Sequence, residues 1–281
     1  MKSIDELTKD LDQRMQKLTR HGYVHIVDRG NFAIFMALAI VSKNSDRKKV
    51  LIPDQGGWYS YRTYPKYFGF EIVEVKTDYG VIDLEDLKKK SVDAAAIIFT
   101  SFAGYFAEQP LKKIKTLCKK RGCLIIEDAC GSIGDTRLCN GNYSDIIVGS
   151  FSKWKPINYG YGGWISVSKR EYFDSVRDVV SMCRVHEKFY KDIPKIIRAN
   201  RLKKRFELQE NVKKDLKEFN VLHREKRGLN VVVKFDPKVI EYCQDKGFQH
   251  VLCPNYIRCN ESAISIELKR LDIEEVKKLL K

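Results

Sequence analysis

The chain has 281 residues, 43% of them hydrophobic and 32% charged, with a formal net charge of +15. That is enough to bury one large core or a large and a small one, and no run of about eighteen apolar residues calls for a membrane span. The charged start MKSIDELTKDLDQRM does not read as a signal peptide, so a soluble, cytoplasmic protein is expected.

From about residue 23 the pattern alternates short apolar, β-branched runs with helix-like stretches. The runs are VLIP (50–53), FEIVEV (70–75), DAAAIIFTSF (93–102), CLIIEDA (123–129), DIIVGSF (145–151) and GWISVS (163–168). Between them LEDLKKK (84–90) and PLKKIKTLCKKRG (110–122) read as helices, the second opening on Pro110 and closing on Gly122. Apolar strands separated by helices predict an α/β unit whose mainly parallel sheet is covered on both faces. Residues 1–183 are expected to form this large domain. A charge-rich helical stretch runs from about 169 to 226, and 184–227 is expected to be a basic helical connection. GLNVVVKF, a helix from Pro237 to about Lys246, HVLCPNYIRC, AISIEL and IEEVKKLLK then follow in β-α-β-β-α order. That order predicts a small α+β domain over 228–281.

The eight cysteines, at 118, 123, 130, 139, 183, 243, 253 and 259, include no C-x-x-C pair. Neither a metal site nor a disulfide framework is expected. Most read as small buried hydrophobes. About half the charge excess lies in Arg184–Arg227, with 15 Lys/Arg against 7 Asp/Glu. Such a segment can attract nucleic acid, but no RNA-binding signature accompanies it, and a solvated helical face is the preferred reading.

Four local features suit one cofactor. CLIIEDA ends in Glu127-Asp128, which puts a carboxylate at the carboxyl edge of the sheet, where it can pair with a protonated pyridine nitrogen. SFSKWKPINYGYGGWIS (150–166) feeds a polar turn carrying Lys153 and Lys155, either of which could reach that edge and form an imine. Burial is expected to lower the pKa of such a lysine. RGNFAIFMALAI (29–40) places Gly30 and Asn31 at the start of a helix apolar all round, whose free N–H groups can cradle a phosphate. PDQGGWYSY (53–61) brings Trp58 and Tyr59 to the same edge, where an aromatic plane can stack on a pyridine ring.

With these residues in view, the stretch from about 23 to 168 resembles the DegT/StrS-type sugar aminotransferases, within the wider aspartate-aminotransferase fold (fold type I). That family shows G-T-x-A-L, P-x-x-T-W/F, I-E-D-A-A-Q and S-F-x-x-x-K-x-x-x-x-G-x-G-G. Here stand Gly30-Asn31-Phe32-Ala33-Ile34, Pro53 to Trp58, Ile126-Glu127-Asp128-Ala129-Cys130-Gly131, and Ser150-Phe151 with Lys155, Gly160, Gly162 and Gly163. The last motif selects Lys155 over Lys153. The resemblance implies a large domain built on a seven-stranded-type, mainly parallel sheet, with pyridoxal phosphate (PLP) held by Lys155 as a Schiff base. It further implies that Asp128 pairs with the pyridinium, that Ser150 and the backbone at Asn31 and Phe32 hold the phosphate, and that Trp58 stacks on the ring. Departures are Gly131 in place of a Gln or His, Asn31 in place of Thr or Ser, and Tyr161 in place of Glu. Arg258 is the candidate for a substrate carboxylate.

The implied activity is amino transfer between a small-molecule amino donor and a keto acceptor, in a homodimer. Three rivals stand beside it. One is a PLP-dependent lyase or sulfur-transfer enzyme, with Cys130 as its attraction. The second is a PLP enzyme acting on an RNA-bound amino acid, and the third is a non-catalytic protein of the same fold.

Overall fold

The protein is described here from a computed structural model covering residues 3–197 and 201–280. The first unit holds α1 (Ile4–Thr19), β1 (Tyr23–Val27), α2 (Gly30–Asn44), β2 (Lys49–Pro53), β3 (Glu71–Val75) and α3 (Leu84–Lys90). It continues with β4 (Ala94–Thr100), α4 (Leu111–Arg121), β5 (Leu124–Asp128), β6 (Ile146–Ser150) and β7 (Gly163–Val167). The strands form one seven-stranded sheet in the order β1-β7-β6-β5-β4-β2-β3. Neighbours from β6 through β5, β4 and β2 to β3 pair in parallel, while β7 runs antiparallel to both β6 and β1.

The apolar runs are continuous because both faces of the sheet are covered, and alternate residues serve opposite layers. Val50, Ile52, Ile98 and Ile126 pack with α2, whose residues Ala33 to Val41 are buried apart from Phe35. Leu51, Ile97, Phe99 and Ile125 face the other way, onto Leu87 of α3 and Leu111, Ile114 and Cys118 of α4. Gly149 is demanded by its cross-strand neighbour: a Cβ there would lie 2.4 Å from Cε2 of the fully buried Trp164.

Among the described residues, the long helical stretch expected over 169–226 is instead four helices: α5 (Arg170–Asp174), α6 (Arg177–Ser181), α7 (Glu187–Ile196) and α8 (Arg201–Asp215). One break falls at Cys183, which leaves helical register to accept the Asp28 amide on its thiol sulfur at 3.1 Å. The residues after Asp215 form turns held by Arg224, which donates to the carbonyls of Lys213, Leu216, Lys217 and Phe219. Part of this segment's charge is therefore spent inside the fold. Arg205 serves the carbonyls of Leu268, Lys269 and Leu271, the Lys213 ammonium donates to Lys226 O, and Arg227 bridges Glu108 and Asp135.

The C-terminal strands β8 (Val231–Lys234), β9 (His250–Asn255) and β10 (Cys259–Ile266) form an antiparallel sheet in the order β8-β10-β9. With α9 (Pro237–Asp245) and α10 (Ile273–Leu279) they follow the β-α-β-β-α order read from the sequence. Leu208 and Val212 of α8, with Leu216 just beyond its end, join Val231, Val233, Ile264 and Ile266 in its core. A short hairpin, Phe102–Ala103 with Ala107–Glu108, reaches from the end of β4 towards this sheet. Its Tyr105 carbonyl accepts the amides of Leu229 (2.7 Å) and Asn230 (3.0 Å).

Candidate active site

Strands β5 and β6 end side by side, so the residues leaving them share one edge of the sheet. Alternation sends the two carboxylates of Glu127-Asp128 to opposite faces. Glu127, fully buried, accepts Ser101 Oγ (2.7 Å), the Cys139 amide (2.7 Å) and Ser144 Oγ (2.6 Å), pinning the loop that follows β5. Asp128 is 4% exposed. Its Oδ2 accepts the Tyr61 hydroxyl at 2.7 Å and its Oδ1 the Cys130 amide at 3.0 Å. These two bonds fix the carboxylate while leaving acceptor capacity on both oxygens.

Beyond β6 the turn separates its two lysines. Lys153 is exposed, whereas Lys155 is half-buried and its Nζ donates to Tyr105 Oη at 2.8 Å. That ammonium lies 4.9 Å from the Tyr105 ring centroid and 5.9 Å from that of Trp58. Tyr59, the other aromatic of that segment, is 55% exposed and stands outside. Trp154 (φ 63°) and Tyr105 (φ 69°) both hold left-handed backbone. Bulky residues adopt that region at a cost and keep it where the surroundings over-determine them. Here the strain aims one side chain at Lys155 and turns the chain that carries it.

The Lys155 pKa differs in direction from the sequence-based expectation. Burial does work against its charge, but Tyr105, Cys130 and Asp128 together hold the pKa above the ordinary value. Burial also pushes up the Tyr105 hydroxyl and the Cys130 thiol, so both are neutral near pH 7.

The start of α2 closes the site. A Cβ on Gly30 would stand 2.8 Å from Ser150 Cβ, and one on Gly163 would stand 2.6 Å from Arg29 C, so glycines let this helix N-terminus press onto the ends of β6 and β7. The Asn31 amide is among the first-turn donors that helix geometry leaves without an intrahelical acceptor. The Phe32 amide is drawn onto Arg29 O (3.1 Å), while its ring stacks on Phe35. Asn31 Oδ1 accepts the Trp58 indole N–H at 2.9 Å, which gives the departure from Thr or Ser a structural purpose. Ser150 Oγ donates to Ser152 Oγ (2.8 Å) and accepts the Ser152 amide (3.1 Å).

Amine, carboxylate, indole, hydroxyl and helix N-terminus therefore converge, and this donor set fits pyridoxal phosphate. Two contributors were not read from the sequence. Tyr61 steadies Asp128. Tyr105 engages Lys155 and also fills the space opened by Gly131, whose Cβ position lies 3.4 Å from its ring. Arg258 reaches the same ring, 5.2 Å from its centroid, but its fork is committed to Glu267, with Nε and Nη2 donating at 2.7 Å each. Tyr161 is partly exposed and leans edge-on against Phe189.

Among curated proteins, a probable aspartate/prephenate aminotransferase of Aquifex aeolicus is 32% identical over 151 residues, 47% of this chain and 36% of that protein. A probable glycine dehydrogenase (decarboxylating) subunit 2 of Thermotoga maritima is 36% identical over 129 residues, 43% of this chain and 26% of that protein. The chain thus spans well under half the length of these relatives. Among solved structures, a DegT DnrJ EryC1 StrS aminotransferase from Brucella abortus superposes with TM-score 0.73 at 17% identity, covering 98% of this chain and 88% of that one. A Helicobacter pylori aminotransferase involved in pseudoaminic acid biosynthesis gives TM-score 0.71 at 14% identity, covering 97% and 89%. These two likenesses concern the fold. Residues 199–279 match the model of the MJ1341 family C-terminal domain. Residues 3–197, more than half the chain, match the DegT/DnrJ/EryC1/StrS aminotransferase family, and the chain belongs to that family.

Proposed function

We propose that this protein is a PLP-dependent aminotransferase that moves an amino group between a small amino compound and a keto acceptor, with Lys155 and Asp128 as its catalytic residues. The observation that carries the reading is the convergence of a half-buried amine and a buried carboxylate at one sheet edge, beside an indole fixed by Asn31. The cofactor, when bound, supplies an aldehyde carbon for nitrogen exchange and a cationic ring that accepts electrons. Lys155, Asp128, Trp58, Ser150, Gly30 and the Asn31 amide would hold it, whereas the Phe32 amide expected to join them is bonded to Arg29 O.

The chain's own groups then have separate tasks. Asp128, steadied by Tyr61, keeps a proton on a facing ring nitrogen. Lys155 Nζ removes and returns a proton at the carbon bearing the substrate nitrogen. Tyr105 Oη holds that amine between transfers. Sulfur transfer through Cys130 fits less well, because burial first and then the Asp128 charge push its thiol pKa well above the ordinary value, and the thiol is a poor nucleophile. The internal bonding of Arg205, Lys213, Arg224 and Arg227 removes part of the basic surface an RNA substrate would need. We further assign 1–183 as the PLP-binding unit, 184–227 as the connection and 228–281 as the small unit, in a cytoplasmic homodimer.

The test is borohydride reduction of protein mixed with pyridoxal phosphate, followed by peptide mapping. A yellow protein whose label sits on Lys155, bleached by an amino acid and restored by a keto acid, is the expected result. A colourless protein, or a label on Lys153, defeats the assignment.

A further inference from the structure

Three cations meet one carboxylate where β10 ends. Glu267 is 1% exposed and already accepts five donors. Its Oε1 takes Arg258 Nε (2.7 Å), Ser265 Oγ (2.9 Å) and Asn230 Nδ2 (3.0 Å), and its Oε2 takes Arg258 Nη2 (2.7 Å) and Arg270 Nε (3.1 Å). A carboxylate offers about four lone-pair sites, so its capacity is spent.

Lys269 is the cation left over. It is 5% exposed, and its ammonium approaches Glu267 Oε2 no closer than 3.8 Å, beyond hydrogen-bond length. Its other neighbours are aromatic faces, with Nζ 4.7 Å from the Tyr105 centroid and 5.4 Å from that of Trp154. Those two residues flank Lys155, which donates to the Tyr105 hydroxyl. Cation–π contact offsets part of the desolvation of an ammonium, but its three donors still want acceptors. A lysine only 5% exposed, whose ammonium has no hydrogen-bond partner among the described residues and lies beside the residue that carries the chemistry, is a place prepared for an anion that arrives with the substrate.

We infer that Lys269, rather than Arg258, receives the anionic group of a substrate, an amino acid or keto acid bearing a carboxylate. The inference deepens the aminotransferase reading and rests on it for the chemistry at Lys155. Arg258 and Glu267 act from behind as the brace that sets the position of Lys269. The charge balance agrees, because Arg258, Lys269 and Arg270 outnumber Glu267 at the end of β10. Burial first, then Lys155, Arg258 and Arg270, against the opposing pull of Glu267, bring the Lys269 pKa down to about 7. An incoming carboxylate restores its full charge.

Succinate, which bears carboxylates but neither amine nor ketone, is the probe. Calorimetric titration at about pH 6.5 should show saturable binding to the wild type, weakened about 10- to 100-fold in Lys269→Met and largely kept in Lys269→Arg. Wild-type affinity should fall as pH rises through about 7 to 8.5, because the ammonium facing Glu267, Arg258, Arg270, Lys155 and Tyr105 loses its proton there. The Lys269→Arg protein should stay flat over that range. In amino transfer, Lys269→Met should raise KM for L-glutamate far more than it lowers kcat. Borohydride labelling of Lys155 should survive in Lys269→Met. Equal succinate affinity in wild type and Lys269→Met, or no saturable binding of succinate to the wild type, overturns the inference. Failure of Lys155 to take up the cofactor would instead strike the aminotransferase reading, since succinate can be titrated into the unloaded protein.

Discussion

Glu267→Gln changes one atom type in a side chain that five donors have saturated. Glutamine keeps the shape and one carbonyl acceptor, but its amide turns an N–H towards at least one guanidinium N–H where an oxygen used to accept. Arg258 suffers most. It is 6% exposed, both fork contacts are 2.7 Å long, and its other polar contact is Nη1 to the Ile257 carbonyl at 3.3 Å. Arg270, whose side chain is 24% exposed, can turn to water, and Lys269 can shed its proton. The loss therefore centres on one buried guanidinium. Removing one partner of a buried pair costs about 3–5 kcal/mol, and two charge-assisted hydrogen bonds at about 1.5–3 kcal/mol each give a similar figure. For a chain this long a change of 1 kcal/mol moves Tm by roughly 2 °C, so a drop of about 6–10 °C is expected. Thermal unfolding followed by circular dichroism at neutral pH measures it. The Glu267→Gln/Arg258→Met double variant should recover most of the loss, since no buried charge is then stranded. A single variant melting within about 1 °C of wild type, or a double variant worse than the single, would refute this reasoning. The pH dependence follows. Burial pushes the Glu267 carboxyl up, but the Arg258 bonds and the charges of Arg258 and Lys269 outweigh it, so the folded pKa lies below the ordinary 4.5. The stabilisation is then complete above about 4.5 and disappears as pH falls through the folded value, so the gap between wild type and variant closes in acid.

Two further substitutions probe the sheet and the amine. Gly149→Ala forces a methyl into a position 2.4 Å from the Trp164 ring and should cost about 1–3 kcal/mol in urea unfolding, and an unchanged midpoint would mean the β6–β7 pair can part without penalty. Tyr105→Phe removes the acceptor 2.8 Å from Lys155, one of the influences holding its pKa up, so the borohydride-labelling profile should move to lower pH. A profile that stays in place would show that Tyr105 does not hold that pKa up.

Much of the fold was legible because both faces of the large sheet are covered, which makes strands such as Val50–Pro53 and Leu124–Asp128 apolar enough to recognise without alignment. Asp128 and the pair Lys153 and Lys155 were legible for a related reason, since a strand end and a glycine-bounded turn are local patterns, and the resemblance to the family motif chose Lys155 between the two. Tyr105 was not, because its importance lies in a left-handed turn and in amides from residues 229 and 230, far away in the chain. Lys269 was hidden among 52 basic residues. Only packing distinguishes a lysine 5% exposed from its neighbours. The stretch 169–226 misled by composition, since helix-forming residues continue across Cys183, where a tertiary bond to Asp28 ends the helix.

The hairpin tip joins the two sheets at one residue. Tyr105 reaches the small sheet through its carbonyl, which takes two amides, and through its ring, which Arg258 and Lys269 flank. It reaches the large unit through its hydroxyl, which receives Lys155. Gly104 beside it leaves no room for a side chain, since a Cβ would lie 2.5 Å from the Arg258 carbonyl. One residue therefore registers the amine of the large sheet against the cations of the small one. A left-handed tyrosine costs about 1–3 kcal/mol, which no isolated turn would sustain. It persists because two amides, three cations and the Gly131 gap all fit it in that conformation. The strain marks the contact through which the two sheets meet beside Lys155.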